Sequence, residues 1–209
     1  MKHKKFQYVN RAIFYDYDNN AIEILNQRIS NLKLNHKAVA RFGDYNNPAS
    51  ICEELKVLGS NCLNLILIDP TDCSVPFSLI KGLANILSRV DLIINVATMT
   101  DFNRNIQMAF ADDKRAEKYI RFLGDSCYFS SSENREFCNN KNYIKLREAF
   151  RNTYKYSLKR IGFKFFDFTS INNYYDILYA TSNKKGIEFW KKANKTIDSS
   201  GQRSLNFEI

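Results

Sequence analysis

Two short, almost wholly apolar runs set the strongest limit on what this chain can fold into. Leu63-Asn-Leu-Ile-Leu-Ile68 and Asp91-Leu-Ile-Ile-Asn-Val96 have the pattern of strands covered on both faces, as in parallel sheets. Between them Phe77–Leu87 carries Leu79, Ile80, Leu83, Ile86 and Leu87 at helical spacing. Upstream the alternation repeats. Residues 11–17 read as a strand rich in Ile, Phe and Tyr, and Asp18-Asn19-Asn20 offers a cap for a helix with Ile22, Leu25, Ile29 and Leu32 on one face. A short strand over 38–42 follows, then a helix opened by Asn46-Asn47-Pro48 and running to about residue 58.

Downstream, residues 101–123 predict one or two helices. Residues 124–140, with three consecutive serines, two cysteines and no period, predict a loop or insertion and a mobile segment. Tyr143–Ile161 reads as a long helix whose inner face is Ile144, Leu146, Phe150, Tyr154, Leu158 and Ile161, ended by Gly162. Strands over 164–169 and 174–181 are close enough for an antiparallel connection, and 186–195 is a last helix. The expected fold class is α/β: one domain over 1–209 with a mainly parallel sheet and an antiparallel C-terminal strand pair.

No apolar run approaches the ~18 residues needed to cross a bilayer, and no apolar segment follows the basic N-terminus, so neither a membrane span nor a secretory signal is expected. Five cysteines, at 52, 62, 73, 127 and 138, are odd in number and lack metal-type spacing, which reads as reduced, mostly buried thiols in a cytoplasmic protein. The net charge of +9 is unevenly spread. Lys and Arg outnumber Asp and Glu by eight to three over 1–43 and by thirteen to four over 140–195, while 44–139 holds nine against thirteen. Such a surface attracts phosphate polymers or is simply solvated.

Three strands are each followed by a carboxylate: Asp16 and Asp18, then Gly43-Asp44, then Asp69-Pro70. In an open parallel sheet ligands bind outside the carboxyl ends of the strands, and acids there accept from ribose hydroxyls and exocyclic amines. Asp16, Asp18, Gly43 and Asp44 are therefore candidate cofactor-binding residues; helix capping by Asp18 and an Asx turn at Asp44 are the plainer alternatives. Asp69 and Pro70 are candidate catalytic residues, a rim acid and a sharp turn that position a substrate amine, although Thr71 stands where an aromatic side chain would be expected; a cap on the turn is the plainer alternative for Asp69. Arg147, Arg151, Lys155 and Lys159 recur at four-residue steps on one helix face, a candidate nucleic-acid contact or a solvated outer face. His3 and His36 have no partners that would make a triad or a metal site, no Walker-type loop is present, and no Gly-x-Gly occurs to open the expected pocket.

Over nearly its whole length the chain resembles the three-Cys-motif partner proteins, a bacterial group with a class I methyltransferase-like (Rossmann-like) fold. The resemblance is carried by residues 65–84 (Leu-Ile-Leu-Ile-Asp-Pro-Thr-Asp-Cys-Ser and onward), by Val90-Asp-Leu-Ile-Ile-Asn95 with Asp101-Phe-Asn-Arg-Asn105, by Tyr174–Ser182 with Lys185–Trp190, and by Gly201-Gln-Arg-Ser-Leu205. It implies S-adenosylmethionine as cofactor and, as partner, a three-cysteine protein resembling radical enzymes. The five cysteines here do not form that motif, so the chain looks like the partner and not the cluster protein. The resemblance also implies an upstream strand and a loop of the form Asp-x-Phe-Ala-Gly-x-Gly, absent from this sequence. The expectation is an N-terminally shortened domain, either a fragment or a protein completed by another chain, that binds the donor weakly alone.

Overall fold

The computed structural model describes residues 9–58, 62–171 and 174–194. The chain divides into two compact units, residues 1–54 and 55–209. Each is a layered α/β arrangement, so the broad fold class read from the sequence stands, with one parallel and one mixed sheet.

In the first unit β1 (Ala12–Asp16) and β2 (Ala38–Phe42) pair in parallel, with Ala12 opposite Ala38 and Asp16 opposite Phe42. The crossover is α1 (Asn19–Asn31), and the Asp18 carboxylate caps it by accepting from the Asn20 amide at 2.9 Å. Asn26 of α1 then binds the backbone of Ala40 twice, donating to its carbonyl at 3.0 Å and accepting from its amide at 2.9 Å. That satisfies one ladder position on the edge of β2 that β1 does not cover. The N-terminal half of α2 (Ala49–Leu58) closes the unit: Glu54 accepts from the Tyr15 hydroxyl at 2.9 Å and pairs with Arg41.

In the second unit the strand order is β3 (Asn64–Ile68), β4 (Val90–Asn95), β6 (Tyr175–Thr181), β5 (Phe165–Ile171). β3 and β4 are parallel, and β6 runs antiparallel to both of its neighbours. α3 (Phe77–Ile86) connects β3 to β4. A π-helical turn (Thr98–Phe102), α4 (Asn103–Ala111), α5 (Asp113–Leu123), α6 (Cys127–Ser130), α7 (Ser132–Asn139) and α8 (Tyr143–Arg160) follow β4, and α9 (Lys184–Asn194) packs on β5 and β6. The core is aromatic. Phe102, Tyr119, Phe122, Tyr128, Phe150 and Tyr154 are fully buried, and Phe122 stacks on Tyr154 with ring centroids 4.6 Å apart.

Five expectations need correction. The strands pair in two sheets and not one, and the larger sheet is mixed. β3 is covered on one face only: Ile68 is buried, whereas Leu65 and Leu67, and Leu63 just before the strand, are 65%, 68% and 82% exposed; β3 is also an edge strand among the described residues. Residues 124–140 are mostly helical and not a loop. Tyr128 and Phe129 supply the buried anchors that a period search over so short a stretch does not find, and Asn134 donates to the Tyr128 carbonyl at 2.8 Å. Ile144, assigned to the inner face of α8, is 72% exposed; Leu146, Phe150, Tyr154 and Leu158, at strict four-residue steps, form that face instead. The thiols also divide differently: only Cys73 and Cys138 are buried, and Cys62 and Cys127 are exposed.

Candidate functional site

The carboxyl ends of β3 and β4 lie side by side, with Ile68 opposite Ile94. The next residue on each strand is polar, and the two meet: Asn95 Nδ2 donates to Asp69 Oδ1 at 3.0 Å and to the Pro70 carbonyl at 3.3 Å. Asp69 is exposed, as expected of a rim acid, and Asn95 is buried. Four residues on, the same loop is tied a second time. The amide of Cys73 donates to Asp101 Oδ2 at 3.1 Å from within the π-helical turn that follows β4. Lys118 of α5 donates to both oxygens of Asp101, at 2.8 and 2.7 Å, and Asn105 donates at 2.8 Å. Burial pushes the Asp101 carboxyl up, but the bonds from Lys118, the Cys73 amide and Asn105 outweigh it and hold the group below its ordinary value. The loop that carries Asp69 and Pro70 is thus pinned at both ends by residues at and beyond the end of β4.

A second buried carboxylate organises the neighbouring elements. Asp176 of β6, fully buried, accepts from Thr98 of the π-helical turn, from Ser170 at 2.5 Å, and from Arg151 of α8, whose Nε lies at 3.0 Å. Burial raises this carboxyl too, and the bonds from Arg151, Ser170 and Thr98 more than reverse the effect. π-Helical turns are rare and concentrate at functional sites; this one places Thr98 and Asp101 on two different clamps.

In the first unit, Asp16, Asp18, Gly43 and Asp44 come together at the carboxyl ends of β1 and β2, where the Gly43 amide donates to the Asp16 carbonyl at 2.9 Å. Each carboxylate has local work: Asp16 Oδ1 accepts from the Asp18 amide at 2.9 Å and Asp44 Oδ1 from the Asn46 amide at 2.8 Å. The space beside Gly43 is taken by protein and not left for a ligand, since a Cβ there would lie 2.8 Å from the Tyr15 ring and 3.0 Å from Ile51. Beside Asp16 a cavity of about 210 Å³ is lined by Phe14, Tyr15, Ile22 and Leu25. It is smaller than the ~300–1,000 Å³ usual for a whole cofactor, and suits part of one. Asp69 and Pro70 belong to the other unit.

The basic row on α8 is not an open stripe. Arg151 is committed to Asp176, Arg147 donates to the Met99 sulfur at 2.8 Å, and Arg151, Lys155 and Lys159 lie over the rings of Phe168, Phe168 and Phe166 of β5. A groove of about 320 Å³ in the second unit lies at the opposite ends of β3 and β4, where Tyr179 stacks on Trp190 at 4.8 Å; it does not include Asp69. No group of residues that could hold a metal ion occurs among the described residues. Sequence reasoning missed Asn95, Asp101 and Asp176. The first and last carried a signal, a polar side chain inside an otherwise apolar strand; Asp101 gained its meaning only from Lys118, seventeen residues away. No family model, curated protein or solved structure matches this chain.

Proposed function

We propose that this chain is a methyltransferase-related α/β domain of the three-Cys-motif partner type, which takes the nucleoside part of S-adenosylmethionine at Asp16, Asp18 and Asp44 and acts with a partner protein, a three-cysteine radical-enzyme-like chain. Asp69 and Pro70 would present the methyl acceptor. The observation that carries this is the position of carboxylates at the ends of parallel strands in both units. An odd number of cysteines without metal-type spacing suits a reducing cytoplasm, and no helix of the described residues is long and apolar enough to cross a membrane.

Saturation-transfer NMR with S-adenosylmethionine tests the reading. Transfer should reach the adenine and ribose protons and not the methionine chain, because the glycine loop that would cradle it is lacking. Asp16→Ala with Asp44→Ala should abolish it. No transfer to any proton would remove the donor from the proposal. A second reading, a non-catalytic subunit that binds another protein, is favoured by the exposed leucines of β3, since a contiguous apolar patch marks an interaction surface.

A further inference from the structure

We infer that Asn95 and Asp69 form a two-acceptor seat for a primary amino group, and that the exocyclic amine of a nucleobase is the substrate class that fits it. The inference rests on the reading of Asp69 as the residue that meets the methyl acceptor, and adds to it a second contact and a substrate chemistry.

Asn95 is 6% exposed, and both of its amide protons are committed, one to Asp69 Oδ1 at 3.0 Å and one to the Pro70 carbonyl at 3.3 Å. These two bonds settle which end of the amide is nitrogen. The other end, Oδ1, is buried and accepts from nothing. Three donors of the segments after β4 and β3 are engaged elsewhere: the Thr98 amide with the Val96 carbonyl, the Thr98 hydroxyl with Asp176, and the Cys73 amide with Asp101. A buried acceptor without a donor is destabilising, and an apolar side chain of the same shape would remove the cost. An asparagine kept only as a strut would have its oxygen paired.

The two heteroatoms of an amide share one carbon, so this orphan oxygen lies beside the Asp69 carboxylate. Asp69 is exposed and Pro70 half-buried, so a surface segment is all that must yield for a donor to reach it. What the pair offers is oxygen lone pairs and no spare proton. A group with two N–H bonds satisfies both residues at once. A carbonyl at the same position would meet lone pairs only and be rejected, which is the larger kind of discrimination a polar site achieves. Thr71 cannot stack on a base as an aromatic residue would, and the second acceptor supplies the orientation that stacking would otherwise give.

Cytidine and uridine, which differ at that amine, are the probes. They are titrated separately into the ¹⁵N-labelled chain, the Asn95 side-chain signal being assigned from its loss in Asn95→Leu. Cytidine should shift the Asn95 amide pair and the backbone signals of Asp69 and Thr71, and uridine should leave them in place. Asn95→Leu should lose the backbone response, and Asp69→Asn, a change at an exposed residue, should lose it as well. Equal responses to the two nucleosides, no response up to the solubility limit, or a response retained in both variants would each overturn the inference. Loss of the donor reading is seen separately, on the S-adenosylmethionine protons, and either result can fail alone.

Discussion

Gly124 and Gly162 both hold positive φ after a helix, 65° and 106°, yet they should answer differently to the same substitution. A Cβ on Gly124 would lie 2.4–2.8 Å from the ring and Cβ of Phe77, a buried residue that cannot move aside; beside Gly162 nothing lies within 4 Å. Gly162→Ala therefore carries the backbone cost alone, ~1–2 kcal/mol. Gly124→Ala adds overpacking of ~1–3 kcal/mol to the same backbone cost. Chemical denaturation of the two variants should show Gly124→Ala losing clearly more stability, and equal losses would mean that Phe77 gives way. Only Gly162 was placed at a helix end from the sequence. The requirement at Gly124 comes from a phenylalanine 47 positions earlier, which no local pattern encodes. Asn95 shows the same limit, for a polar residue ending an apolar run is visible in one dimension, but its partner on the adjacent strand is not.

At the scale of elements, strand and helix positions were legible wherever a period ran long enough, as in α8, and the parallel β3–β4 pair and the antiparallel β5–β6 pair follow from the runs and the short connection. Coverage was not legible. The run at 63–68 is as apolar as that of an inner strand, yet it forms an edge, because strand order is set by tertiary pairing. The basic face of α8 was half legible: its four-residue step is real, but β5 lies under it. Arg151→Ala would leave the Asp176 carboxylate buried without its cation and should cost ~3–5 kcal/mol, so it cannot serve as a test of binding. Were this helix to contact phosphates, Arg147, Lys155 and Lys159 would have to leave Met99 and the β5 rings to do so, and three contacts would give a log–log salt slope of roughly −3. Lys155→Glu with Lys159→Glu should reduce that slope by about two units and weaken binding to all sequences alike. Gel-shift titration at two salt concentrations is the measurement, and no binding of DNA or RNA at low salt would end the nucleic-acid role of this helix.

At the scale of the whole molecule, the pH dependence of unfolding reports which of these clusters holds the second unit together. Asp101 and Asp176 both sit below the ordinary carboxyl value, since their hydrogen bonds outweigh the effect of burial. Each binds its proton less tightly folded than unfolded. The stability it contributes is complete above the unfolded value of about 3.9 and is lost as the pH falls through the lower folded value. Lys118 is displaced the other way, upward, because Asp101 outweighs its burial, so its contribution is complete below about 10.4 and lost as the pH rises through the folded value. The buried phenols of Tyr119, Tyr128 and Tyr154 are raised chiefly by burial and add to the alkaline loss, which begins as the pH passes their ordinary value of about 10. Thermal melts against pH should therefore show a plateau bounded by an acid limb to which Asp101, Asp176 and Asp125, itself held low by the Cys127 amide, contribute, and by an alkaline limb set mostly by phenols. Asp176→Asn should flatten the acid limb and leave the alkaline one alone. Asp101→Asn should flatten the acid limb and soften the alkaline one, since the same change removes the partner of Lys118. An acid limb of unchanged steepness in both variants would show that other carboxylates govern acid unfolding and that the clamp on the Asp69 loop contributes little to the stability of the fold.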